Sequence, residues 1–372
     1  MLKRTRSFLV LVMLLMTVTM SAQVTTATMS GKVTAQDEPI IGATIVAIHE
    51  PSGTRYGTVT NVSGQFNLQG MRTGGPYKVE ISYVGYQTAI YKGINLLLGE
   101  NYVLNVSLKE SSELLDEVVV TASKESNMKS DRAGAIMNAN RDMISNTPTI
   151  SRSISDIMRL SPQGADVGNG FAVGGGNYRQ SFVTVDGAAF NNTFGLGGNL
   201  PANGSPISLD ALEQVTVAVT PFDVRQSGFT GGAINAVTRS GDNQFRGTAY
   251  MYFNNENLKG SKVDDYELLR SKAQYYTYGA SFGGPIIKDK LFFFVNGEYE
   301  DNVTAGSNYR PRTALGESYS GGNIHRPLQS DMDDMRGFLL NKYNFDPGKY
   351  KDYSTDTPAY RVIARVDWNA NQ

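Results

Sequence analysis

Four segments in the last third of the chain alternate apolar and polar residues over strand-length stretches, and no other feature restricts the possible folds as much. Phe245, Gly247, Ala249, Met251 and Phe253 fall on one face, against Arg246, Thr248, Tyr250 and Tyr252. Tyr276, Tyr278, Ala280 and Phe282 alternate with Tyr275, Thr277, Gly279 and Ser281. Leu291, Phe293, Val295, Gly297 and Tyr299 alternate with Phe292, Phe294, Asn296, Glu298 and Glu300. The pattern returns with Tyr360, Val362, Ala364, Val366 and Trp368 opposite Arg361, Ile363, Arg365 and Asp367. A period of two sends successive side chains to opposite faces of a sheet. Strands of about nine to eleven residues with one apolar face and aromatic ends match the span and belt of a membrane barrel. The connections alternate as well: 254–273 is long, 283–290 short and 301–359 very long. Outer loops and inner turns alternate in this way in such barrels. A soluble sandwich with one wet face explains the strands but not the loops.

Composition agrees. With 39 glycines, 20 tyrosines and 16 phenylalanines in 372 residues and only 19% charged, the chain is β-rich and turn-rich. It has no cysteine, which excludes disulfides, thiolate metal sites and cysteine nucleophiles. A net charge of −1 removes the electrostatic case for a nucleic-acid partner. The mean hydropathy of −0.28 is compatible with a barrel, because alternating strands average out.

At the N-terminus, Lys3, Arg4 and Arg6 precede an almost wholly apolar run over 8–20, followed by Ser21, Ala22 and Gln23. This is the pattern of a secretory signal peptide over 1–22 cleaved after Ala22, although Met20 is an imperfect residue three before the cut. No later apolar run reaches the roughly 20 residues of a spanning helix, so export leaves a soluble protein or a β-barrel.

Residues 23–110 carry five or more short alternating strands separated by Gly, Pro, Asp and Ser-Gly turns, which predicts a β-sandwich. The run from Gly31 to Val33, Pro39 to Val46, Thr60 to Phe66 and Val84 to Tyr86 resembles the carboxypeptidase-regulatory-like domain. No peptidase chemistry follows. His49 and His325 are the only histidines and are far apart, and His49 reads as a surface or edge-strand residue. A periplasmic spacer or docking module is the expected role.

Between polar flanks lies Asp116, Glu117, Val118, Val119, Val120, Thr121 and Ala122. An isolated β-branched run is suited to adding itself to a partner's sheet edge. Equally, it forms the last strand of the preceding sandwich or the first of the next domain. Further on, Ile154, Ile157 and Met158 share a helical face ended by Pro162, and Val183 to Gly187 read as a strand closed by an Asp-Gly turn. Ser208 to Leu212 reads as a second short helix, followed by strands over 213–219 and 231–241. The glycine runs have neither phosphate-binding spacing, so nucleotide binding is rejected.

In this setting the 116–122 segment looks like the TonB box of an outer-membrane TonB-dependent receptor. Val185 to Gly187, Leu209 to Val217, Gly228 to Asn235 and Thr238 to Gly241 resemble the plug domain of that family, especially its Oar-like group in the Bacteroidetes. The resemblance implies a mainly β protein: a sandwich over 23–110, a linker with the box over 111–123, an α+β plug over 124–241 and the first few strands of a transmembrane antiparallel barrel over 242–372. It implies a TonB-type energy-coupling partner at Asp116 to Ala122, outer-membrane lipid around the barrel and a surface lipoprotein as a further partner.

No catalytic residue, cofactor or metal ligand is expected; Asp331, Asp333 and Asp334 read as a solvated acidic loop cluster. Tyr309, Tyr319, Tyr343 and Tyr353 lie in the long connection 301–359 and read as loop packing or as contributors to an outer surface. About four strands cannot close a barrel of roughly 22, so the chain is expected to be the N-terminal piece of a larger receptor. An exported adhesion or glycan-binding module is the rival expectation. Mass spectrometry of the exported protein is expected to find Gln23 at its N-terminus.

Overall fold

The structure is a computed structural model. It describes residues 25–110, 118–121, 136–149, 152–167, 170–191, 200, 206–219, 231–258, 260, 262–264, 266–267, 273–306, 309–319, 324–351 and 353–370. The expected leader and three box residues, Asp116, Glu117 and Ala122, lie outside them. The chain is mainly β and falls into two compact units. The first holds the described residues up to Gly247 together with those of 281–296 and 362–372; the second holds those of 248–280 and 297–361.

In the first unit, strands β1 (Ala27–Ala35), β2 (Thr44–His49), β3 (Thr54–Val59), β4 (Gln65–Met71), β5 (Gly74–Ser82), β6 (Ala89–Leu96) and β7 (Val118–Thr121) form two facing sheets. One is centred on β1, which pairs antiparallel with β4. The other runs β7-β6-β5-β2-β3. Alternate residues of each strand turn inward, so Met29, Val33, Ile45, Ala47, Phe66, Leu68, Tyr77, Val79 and Ile81 are sealed between the sheets. A sandwich of this size depends on such burial, worth about 25 cal/mol per Å² of apolar surface.

A second sheet system follows. Strands β8 (Ile136–Ala139), β9 (Phe182–Val185), β10 (Leu212–Ala218) and β11 (Ala233–Thr238) are ordered β8-β10-β11-β9, with β9 parallel to β11 and the other pairs antiparallel. Helices α1 (Arg141–Asn146) and α2 (Ile154–Met158) accompany it. Ile154, Ile157 and Met158 are fully buried on the predicted face. Helix α1 was not foreseen; its signal is Asn140, whose side chain accepts from the Met143 backbone N–H at 2.9 Å. The predicted second helix is a single 3₁₀ turn, Leu209–Ala211. Asp186 and Gly187 both take positive φ, as an Asp-Gly turn requires.

Four long strands, β12 (Arg246–Asn255), β13 (Gln274–Ile287), β14 (Leu291–Ala305) and β15 (Ser354–Trp368), form a sheet in chain order, open among the described residues. Its polarity is inverted. Tyr360, Val362 and Trp368 are 78%, 78% and 73% exposed, while Arg361 between them is 7% exposed. An apolar face turned outward and a polar face turned inward is the pattern of a membrane-barrel strand. Strand β13 runs through 283–287, which the sequence placed in a turn. The reason is packing: a Cβ on Gly284 would sit 2.3 Å from the Phe245 ring, which stacks on Phe282 at 5.8 Å.

In the second unit, Arg361 bridges Glu298 at 3.0 Å and Glu300 at 2.7 Å, and the Tyr250 hydroxyl donates to Glu298 at 2.6 Å. Its long connection contains a helix, α3 (Gln329–Tyr343), where the sequence suggested only loop. Asp331, Asp333 and Asp334 therefore lie on a helix, and Asp333 accepts from the Tyr350 hydroxyl. Tyr309, Tyr319, Tyr343 and Tyr353 are all exposed. Val362→Arg places a charge on the outward face, and the expected result is a folding cost of up to about 2–4 kcal/mol, seen as reduced outer-membrane assembly of the heat-modifiable barrel.

Candidate functional site

The four described residues of the predicted box, Val118 to Thr121, make up β7. They pair in parallel with β6 in the register Val118 to Ala89, Val119 to Ile90, Val120 to Tyr91 and Thr121 to Lys92. Of the alternatives open in the sequence, the structure takes the last strand of the sandwich. The segment has a local partner because β6 would otherwise end the sheet with an unpaired edge.

A polar junction fastens the sandwich to the plug strands and to the near ends of the barrel strands. It surrounds a cleft of about 690 Å³ lined by Arg72, Arg141, Glu213, Arg239 and Arg365, among others. Arg72 leaves the sandwich between β4 and β5, bridges Asp367 of β15 at 3.4 Å, donates to the Ser240 hydroxyl and lies over the Phe292 ring. Arg365 of β15 donates to the Thr238 carbonyl at 2.7 Å and bridges Asp186 at 3.4 Å. Arg239 donates to the Asp210 carbonyl and to the Ser281 hydroxyl, each at 3.2 Å, and covers Phe294 at 4.9 Å. Arg141 pairs with the same Asp210 at 3.4 Å. Burial pushes the Glu213 carboxyl above the usual range, and Arg141, Arg239, Arg365 and Arg72 draw it back down.

Three further bonds hold the sandwich in place. The Leu98 backbone N–H donates to Gln214 Oε1 at 2.8 Å, the Asn243 N–H to the Pro51 carbonyl at 2.9 Å, and Asn369 Nδ2 to Thr54 Oγ1 at 2.8 Å. None of these residues was singled out in the sequence as a site. Arg365 and Asp367 were assigned to the polar face of their strand, which is the available signal. They bridge each other at 2.9 Å, while their other partners, Thr238, Asp186 and Arg72, are more than a hundred positions away, and no spacing rule connects those.

His49 corrects the expectation of a surface or edge-strand residue. It ends β2, an interior strand of its sheet, and is 8% exposed. Its Nδ1 lies 2.7 Å from Ser52 Oγ, which lies 2.7 Å from Thr54 Oγ1. Burial, assisted by Arg72, lowers its pKa to about 3. The pair is no hydrolytic dyad: Ser52 is fully buried and cannot meet a substrate. No group of His, Asp and Glu able to hold a metal occurs among the described residues.

The comparisons agree with this architecture. Residues 28–109 match the carboxypeptidase regulatory-like domain and residues 237–364 an outer membrane beta barrel domain. The TonB-dependent transporter Oar of Myxococcus xanthus is 26% identical over 60% of this chain and 20% of its own length. The TonB-dependent receptor SusC of Bacteroides thetaiotaomicron is 29% identical over 68% of this chain and 24% of its own length. The chain thus spans about a fifth to a quarter of these curated relatives. Their two sources do not single out a Bacteroidetes group. Among solved structures, the Escherichia coli outer membrane transporter YddB covers 64% of this chain and 31% of its own at 13% identity, with a TM-score of 0.45.

The buried neutral His49 carries a pH signature. Its folded pKa lies below the unfolded value of 6.5, so the unfolded chain binds the extra proton, and stability is complete above that value and falls as pH drops toward about 3. Chemical denaturation of the sandwich is expected to lose roughly 1 kcal/mol per pH unit in that window, and His49→Gln to flatten the slope.

Proposed function

We propose that the chain is a stretch of a TonB-dependent receptor and that the complete protein is an outer-membrane importer driven from the inner membrane. The plug, 124–241, fills the barrel begun by 242–372, and the sandwich, 23–110, and the box stand in the periplasm. Asp116 to Ala122 recruits a TonB-type coupling protein by strand addition. Ligand binding outside makes that strand available inside, and the coupling protein's pull displaces the plug. The cargo class is a large nutrient: a glycan, a peptide or a chelated metal. A surface lipoprotein completes the outer face, no cofactor takes part, and the protein performs no catalysis.

The observation that supports this most is the inverted sheet with plug residues on its inner side. Phe294 belongs to the plug's hydrophobic cluster, while Val295 next to it is exposed on the outer face. The rival, an exported adhesion or glycan-binding module, gains nothing from the relatives, which are transporters and receptors. Deletion of 115–122 separates the two. An importer is expected to keep surface binding of its nutrient and lose uptake in a whole-cell transport assay; an adhesin loses neither.

A further inference from the structure

Val118 to Thr121 answer to two claims. In the structure their main chain pairs with β6, and in the proposed function, on which this inference rests, the same residues are the strand that the coupling protein takes. We propose that the sandwich is a holder for the coupling strand: residues 118–121 rest on the β6 edge, and sandwich and coupling protein bind them by mutual exclusion.

The resting pairing has the properties of a releasable one. It is parallel, the slightly weaker arrangement per residue, and joins four residue pairs among the described residues. Strand β7 is terminal in its sheet, so it is held from one side only. Parking also covers the β6 edge, which would otherwise be open to non-specific pairing.

Exclusion follows from where the sandwich is anchored. Arg72 ties it to Asp367 and Thr54 ties it to Asn369, both in or beside β15, and Leu98 ties it to Gln214 of the plug. A pull on β7 while it remains in the sandwich is borne by the sandwich and shared with the barrel wall. Force is concentrated on the plug, which resumes at β8, only after β7 has left β6. Transfer breaks main-chain bonds to β6 and makes equivalent ones to the partner, so the sandwich subtracts its own pairing energy from the partner's affinity.

Cysteine pairing tests this in a chain that has no cysteine of its own. Lys92 and Thr121 are opposite in the register, and neighbouring strands bring Cα atoms within disulfide range. In the whole receptor in detergent, Lys92→Cys with Thr121→Cys is expected to close on mild oxidation. The oxidised form is then expected to bind the periplasmic domain of the coupling protein at least about tenfold more weakly than the reduced form. Neither single-cysteine variant is expected to show the difference. Amide hydrogen exchange of 118–121 in the unsubstituted receptor provides a readout free of the substitutions, with protection expected. Equal binding by oxidised and reduced forms overturns exclusion, since the partner then uses the open side of β7. A pair that stays reduced together with freely exchanging amides overturns the resting site. No binding in either state removes the coupling role of the strand itself, and exclusion with it, while a closed disulfide would still report where the strand rests.

Discussion

A strand that presents valine, tyrosine and tryptophan to its surroundings has to dispose of its polar side chains on the other face, and in this chain the plug receives them. Arg365 of β15 is bonded to Thr238 and Asp186, and Ser281 of β13 takes a bond from Arg239. Phe292 and Phe294, on the same inner face as Asn296, are fully buried. An unpaired charge away from water is costly, and on the inner face Arg239 and Arg365 find carboxylates, carbonyls and hydroxyls.

The sandwich depends on that same inner surface. Arg72 reaches a carboxylate of the barrel strand and a hydroxyl of the plug, so one sandwich side chain contacts both partners of the seal. Buried charge pairs of this kind contribute less to net stability than to geometry, because desolvation offsets much of their attraction, and removing one member leaves the other exposed to a large penalty. The junction therefore acts as a positioning device. It holds the sandwich, and with it β7, at a defined place beside the plug.

Much of this was legible along the chain. The two-residue period of β14 and β15 and the helical face of Ile154, Ile157 and Met158 were visible because they are local and set by short-range geometry. Helix α3 was not: its apolar residues follow no single face, and Met335, Phe338 and Leu340 are exposed. The Gly283 to Ile287 stretch read as a turn because glycine and proline usually punctuate, whereas here the glycine clears space for Phe245. His49 was misplaced for a related reason, since its burial is imposed by neighbouring strands and the Tyr77 ring, which lie elsewhere in the sequence.

By itself the sequence determined the strand pattern and the absence of cysteine chemistry, because each is carried by residue type or by spacing within one element, whereas the plug was legible only through a family resemblance. Only the tertiary structure decided that Val118 to Thr121 rest on β6 and that Arg72, Arg239, Arg365 and Glu213 share one cleft. Those outcomes depend on which edges and charges remain unsatisfied after the sheets have formed. That is a property of the folded surface, and no local pattern records it.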